Sequence, residues 1–504
     1  MKKLLMMIGA AAVAVGANAN GTWKDGASGN LQDAENWASG SLSGDVTFAN
    51  STANVSFLTN TNTSTTWIGV SRYYFNKGNF DLICRKSPGT WGGISCNNIL
   101  VGCVDEGCFA SLAKRENSLT ATWGMQLGVV KNSTVAFTNV NGDVTIANAT
   151  SDGNRLTVVA EGESSTASFV TLGGSCRFRN SITLGKGGGS NGRFEQNGGN
   201  VYIDGILNIG WSGSASYIVN SGTTTVTNKT VFGANWVDAN DDLNLVLNGG
   251  TFETPSLLYH YGVRAATVLL DGGTLKVSNN ALSQYNFTWH EAGAENAKEA
   301  NTRAYLAFKV GAKGGTINLN GRDIVFHSVI ASENGTSDGG ITVTGGGSIL
   351  LNAVSTFTGG LTVDGATTLA VNPGMKPGAG AVYVGSSAIL KVPQSGVVDL
   401  SVNALTLNDG ATLAFNFTDR ETVPTLTLNA ASTLPSTINV KVTTSVTDMK
   451  LKAFSRYLLA TGCNLTGKTV NVIDKPEWVA SVVVNGDGNL ELIPKGKGLI
   501  ISFH

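Results

Sequence analysis

The 504 residues carry 34 basic and 35 acidic side chains, a net charge of −1 with only 14% of positions charged, so no global field draws the chain to nucleic acid or anionic lipid. With 64 glycines and 42% hydrophobic residues, the chain can bury a core, and its glycines mark turns rather than a low-complexity linker. A coiled coil and a charge-driven disordered tail are excluded by the same composition.

The N-terminus reads as an export address. Lys2 and Lys3 precede an apolar and small-residue run from Leu4 to Val15, and Ala17-Asn18-Ala19 offers the small residues of a signal-peptidase site. Residues 1–19 are therefore expected to leave as a signal peptide of bacterial type, cut after Ala19. As a membrane anchor the run is too short for a hydrocarbon layer of about 30 Å, and polar Asn18, Asn20 and Thr22 follow at once. No later segment approaches a transmembrane span, so the mature chain is expected to be secreted or held on the outer cell surface.

Residues 20–130 read as a cysteine-bearing β region, a cap or a loop excursion. Cys84, Cys96, Cys103 and Cys108 cluster near Tyr73, Tyr74, Phe75, Phe80 and Trp91, and in an oxidising compartment four cysteines close two disulfides in one of three connectivities. Structural zinc is the competing reading, but the paired C-x2-C spacing of such sites is missing; no metal or cofactor is expected. Cys176 and Cys463 stand far from this cluster and are expected to remain free or buried.

Residues 131–450 carry the repeat signal. Short segments such as Val144-Thr145-Ile146, Val201-Tyr202-Ile203 and Leu275-Lys276-Val277 are punctuated by Asn141-Gly142, Asn248-Gly249, Asp271-Gly272 and similar pairs. A Gly-Gly pair followed by a strand recurs from Gly198, Gly249, Gly272, Gly314, Gly346 and Gly359. Several separations lie near twenty-odd residues or twice that, as one β-helical coil requires. The expected fold class is all-β, a right-handed parallel β-helix or solenoid in which a glycine corner starts a strand whose inward side chains stack on the coil before it. Tandem β-sandwiches also produce short strands with glycine turns and are the alternative. Glu291 to Ala304 is the one helix-favouring patch.

The stretch Ser355-Thr356-Phe357-Thr358-Gly359-Gly360-Leu361-Thr362-Val363-Asp364-Gly365-Ala366-Thr367-Thr368-Leu369 resembles the autotransporter-associated β-strand repeat of bacterial exported proteins. Gly21-Thr22-Trp23 with Asn36-Trp37 is similar to the opening that often follows their signal peptides, and Ile182 to Thr227 resembles a degenerate copy of the repeat. The resemblance implies a passenger-like β-helix and says little of chemistry, because strand and turn pattern define the family. The chain departs from a full autotransporter in lacking a recognisable C-terminal barrel of roughly 10-residue alternating strands. Residues 451–504, with Trp478 to Val484, an Asn485-Gly486-Asp487-Gly488 turn and Leu490 to Ile493, read instead as a short β end module that blunts the last coil.

Two acidic clusters invite a search for paired carboxylates. One is Asp238, Asp241 and Asp242 beside Trp236; the other is Glu291, Glu295 and Glu299 next to His290. Both also fit ordinary turn and helix-face chemistry, and the expectation leans away from an enzyme. Trp211, Trp236, Tyr259 and Tyr261 are candidate glycan-stacking platforms, beside rows of Thr, Ser and Asn on flat solenoid faces. The expected function is a non-catalytic extracellular or cell-surface structural or adhesive protein, touching extracellular polysaccharide or other surface components. A secreted polysaccharide lyase or hydrolase, or a glycan-binding protein, is the alternative.

Overall fold

The computed structural model describes residues 19–496 apart from 25–28, 31–34, 36, 41–44, 59–67, 85–92, 103–105, 147–156, 234–240, 260–265, 281–284, 291–305, 448 and 450. Within them the chain winds into an all-β parallel solenoid of about 13 turns that ends in a small mixed sheet. No α-helix occurs among the described residues, and the helix-favouring patch at Glu291 to Ala304 lies outside them.

Each regular turn lays down three short strands. One turn is Asn191–Gln196, Asn200–Ile203 and Ile206–Ile209; the next is Ser214–Val219, Thr223–Val226 and Lys229–Phe232. Each strand pairs in parallel with its counterpart one turn on, giving three ladders, the first, second and third faces. Turn length varies from 20 residues, between Ile349 and its partner Leu369, to 42, between Thr274 and Thr316, yet the register resumes each time.

Inward side chains stack on their own kind. Phe137, Phe169, Phe194 and Tyr217 are successive partners on the first face, with ring centroids 4.8, 4.8 and 4.6 Å apart. Offset rings at such spacing gain energy beyond the area they bury.

The corner between the first and second faces depends on glycine. Gly174, Gly199 and Gly222 hold φ angles of 74°, 71° and 85°, a region open to glycine at little cost. A Cβ on Gly199 would stand 2.1 Å from the carbonyl oxygen of Gly174. That close approach lets the amides of Asn200, Thr223 and Thr251 donate to the carbonyls of Gly174, Gly199 and Gly222 at 3.0, 3.1 and 2.9 Å. Inside the same corner runs a buried polar column, Lys114, Asn139, Thr171 and Gln196, in register from turn to turn. Asn139 Nδ2 donates to the carbonyls of Gly142 and Gly173, Gln196 Nε2 to those of Gly199 and Thr223, and Lys114 Nζ to those of Asn117 and Asn141. The column supplies donors to corner carbonyls that would otherwise be buried with fewer partners.

At the N-terminal end, Ala19–Trp23 pairs antiparallel with Trp37–Gly40 and parallel with Asp45–Leu58. Trp23, opposite Trp37, packs on Phe48 with ring centroids 5.9 Å apart. The described part of the cysteine-bearing region is itself solenoid: Ile68–Cys84, Gly93–Val101 and Ser118–Leu127 join the parallel ladders.

The expected disulfides are corrected, for none forms among the described residues. Cys96 points into the coil, its sulfur 3.7 Å from the Thr120 carbonyl oxygen, and Cys108 is also buried. The side chain of Cys84, and all of Cys103, lie outside the described residues. The stacked core here replaces the staples that a small secreted domain would need. Cys176 and Cys463 are buried free thiols. Burial pushes the Cys176 thiol up to about 11, against the opposing pull of hydrogen bonds with Thr171 and Asn139 and of the Lys114 charge.

The third face runs on to Thr469–Asp474, which pairs in parallel with Thr437–Thr444. A five-stranded mixed sheet of Gly396–Leu400, Pro424–Leu428, Tyr457–Thr461, Leu490–Pro494 and Val479–Val484 closes this end. Its last two strands form the expected hairpin, whose turn is held by Asn485 Oδ1 accepting from the amides of Asp487 and Asn489. Trp478 meets Phe417 edge-on at 5.2 Å.

Candidate functional surfaces

The turns bring several of the sequence-predicted residues to one corner. Ile209, Phe232, Tyr259 and His290 are successive partners at the end of the third face, in turns about 4.8 Å apart. Trp211 follows the first of them, the Asp241-Asp242 pair follows the second, and Tyr259 is itself the third. Trp211 and Tyr259 are half-buried, and Tyr259 packs against the core. Asp241 is buried and accepts the Ser214 hydroxyl at 3.2 Å, while the amide of exposed Asp242 donates to the same oxygen at 3.1 Å. The Asp242 carbonyl in turn accepts from the amide of Ala215. The Asp241-Asp242 pair thus ties the end of its loop to the strand Ser214–Val219 of the preceding turn. Trp236, Asp238 and Tyr261, like Glu291, Glu295 and Glu299, lie outside the described residues. Among the described residues no group of three or more His, Cys, Asp or Glu side chains is placed to hold a metal ion.

The second face carries a feature that no single strand in the sequence reveals. Thr223, Thr251, Thr274, Thr316, Thr342 and Thr362 are successive partners in one outward row. All six are half-buried, and none of their hydroxyls makes a hydrogen bond within the described chain. The turn before the row carries exposed Tyr202 and the turn after it exposed Tyr383, at 40% and 42% exposure. Within two pairs beside the row the charges compensate one another: Arg177 pairs with Asp204 at 2.9 Å and Lys276 with Glu253 at 3.1 Å. A neighbouring outward ladder behaves differently, since Asn248 donates to Asn220 at 2.8 Å and Asn220 to Asn197 at 2.7 Å. Those amides are spent on the fold, whereas the threonine hydroxyls face solvent.

The carboxylate with the most hydrogen bonds among the described residues was not singled out from the sequence. Asp338 accepts the Ser332 hydroxyl at 2.6 Å and the amides of Gly340, Thr358 and Gly359 at 2.7, 2.7 and 3.0 Å. Burial favours the protonated form, but these hydrogen bonds to the carboxylate outweigh it and hold the pKa of the carboxyl below its ordinary value. Asp338 locks the Thr358-Gly359-Gly360 turn to the turn before it. The signal available was Ser337-Asp338-Gly339-Gly340, a turn sequence ahead of a strand.

No protein-family model, curated protein or solved structure matches this chain. The likeness to autotransporter-associated repeats therefore extends to a β-solenoid fold and identifies no family.

Proposed function

We propose that the chain is a non-catalytic extracellular or cell-surface protein, structural or adhesive, exported through its N-terminal signal. The observation that carries this reading is the uninterrupted row of six unspent threonine hydroxyls, a long, uncharged surface of the kind solenoids use for recognition. The core is filled by stacked apolar side chains and by a polar column spent on corner carbonyls, and Asp241 serves as a loop tie. Fractionation of producing cells, with protease added to intact cells, tests the proposal. Signal that is cell-bound and protease-accessible, or released into the medium, is expected; protein retained inside protease-resistant cells refutes it.

A secreted carbohydrate-active enzyme is the second reading, favoured by one observation: Trp211, Asp241, Asp242 and Tyr259 share a corner over consecutive turns. Reducing-end release from a polysaccharide panel, abolished by Asp242→Asn with the fold intact, would support it. No release from any polymer would remove it.

A further inference from the structure

We infer that the second face binds a neutral, linear polysaccharide laid along the solenoid axis. This rests on the extracellular reading above and names the ligand class of that surface. Three independent features converge. The first is the row of half-buried threonines from Thr223 to Thr362, one per turn and in register. Each presents a hydroxyl with no partner in the described chain next to a methyl group, the mixture of donor, acceptor and apolar surface that a sugar ring itself offers.

The second feature is the pair of exposed tyrosines bracketing the row, Tyr202 one turn before it and Tyr383 one turn after. Seven steps of about 4.8 Å separate their turns, roughly 34 Å, so a ligand that reaches both must be an extended chain. Asn408 donates to the Tyr383 phenol oxygen at 2.5 Å, which fixes one of the two rings as a platform. An aromatic ring with a polar tip suits a partner with apolar C–H faces and hydroxyl edges.

The third feature is charge. The row from Ser175 to Thr406 contains no ionisable group other than Tyr383; of the charges flanking it, Arg177 pairs with Asp204 and Glu253 with Lys276, which leaves the exposed carboxylates of Asp143 and Asp364 scattered at its ends. A polyanion or polycation finds no row of opposite charge to meet. An uncharged polymer of hydroxyls complements this face. The second outward row, with Arg177, Tyr202, Thr225, Glu253 and Lys276, is too uneven for a flat crystalline surface.

The test is affinity electrophoresis of the chain lacking residues 1–19 in gels containing hydroxyethyl cellulose, xylan or, as a polyanion, polygalacturonate. Retardation by at least one neutral polymer and none by polygalacturonate is expected. The triple variant Thr251→Val, Thr274→Val and Thr316→Val removes three hydroxyls with little change of shape and keeps strong strand formers. Its affinity should fall about tenfold or more at an unchanged melting temperature. Tyr383→Ala should weaken binding as well, and Phe109→Ala, at an exposed position on the first face, should leave it unaltered. The inference is overturned if no neutral polymer retards the chain, if polygalacturonate does so equally well, or if the triple variant binds like the parent. Surface-exposed protein that ignores the neutral polymers would overturn this ligand and leave the extracellular reading standing; protein retained inside the cell would overturn that reading itself.

Discussion

Replacing Phe194 by alanine tests whether the turns are held by what stacks inside them. Phe194 is fully buried, lies within 7° of parallel to Phe169 at 4.8 Å and within 3° of parallel to Tyr217 at 4.6 Å, and meets the edge of Phe178 at 6.0 Å. Truncating a buried phenylalanine costs about 3–5 kcal/mol in lost transfer energy and cavity. Each of the two lost stacked pairs adds about 0.5–1.5 kcal/mol, which places the total at about 4–8 kcal/mol. In a solenoid each turn touches only its neighbours, so the loss should be read locally by hydrogen exchange. Peptides containing Thr166–Thr171, Asn191–Gln196 and Ser214–Val219 are expected to exchange faster by about three orders of magnitude or more. Val382–Val384 and Leu405–Leu407, many turns away, should keep their protection. Phe109→Ala, at a position 51% exposed, is the control and should change little. Unchanged exchange in Ser214–Val219, or an equal rise along the whole chain, would refute the reasoning.

Three further outcomes are expected. Gly199→Ala forces a side chain into φ of 71° with its Cβ 2.1 Å from the Gly174 carbonyl oxygen, and should cost about 2 kcal/mol or more; Gly188→Ala, with nothing within 4 Å of its Cβ, should be neutral in the same thermal melt. Because the folded Asp338 carboxyl is held below its ordinary value, its stabilisation is complete above about pH 4 and is lost as pH falls through the lower folded value. Limited proteolysis near Ser332 and Thr358 should therefore rise on acidification, and Asp338→Asn should show raised cleavage already at neutral pH; an identical pH response in both proteins would contradict this. Cys96 and Cys176 should resist alkylation at pH 8 in the native chain and react fully after unfolding without reductant, as judged by intact mass; a Cys96 that reacts only after reduction would restore the disulfide reading.

Much of the architecture was legible because its corners are chemically constrained. Gly-Gly pairs at Gly198, Gly249, Gly272, Gly314 and Gly359 each open a second-face strand, since only glycine permits the approach seen at Gly199. Gly346-Gly347 opens a third-face strand instead, a distinction the dipeptide does not encode. The Asn485 to Asn489 turn was readable because the asparagine side chain itself makes the turn. The threonine row was hidden by uneven turn lengths, as partners such as Thr274 and Thr316, or Thr342 and Thr362, sit 42 and 20 residues apart. Nothing in the sequence marks Lys114, Asn139 and Gln196, and only winding the chain turns them inward. The cysteine cluster misled because spacing in sequence says nothing of which face a strand presents; Cys96 faces the core.

The turn that departs most from the rest bears on how this chain can change. Between Thr267 and its partner Ala307 the chain spends 40 residues, against 23 between Leu243 and Ala266, and the ladder continues without a shift. Closing the longer excursion adds only about 0.5 kcal/mol, because the entropy of a loop grows with the logarithm of its length. The extra residues fall on both sides of Tyr285–His290, so the scaffold can carry added chain between its strands almost without thermodynamic consequence for the turns on either side. New sequence can be added, lengthened or exchanged there while the second face keeps its regular row, so the length of the excursions and the register of the ladder are free to change separately.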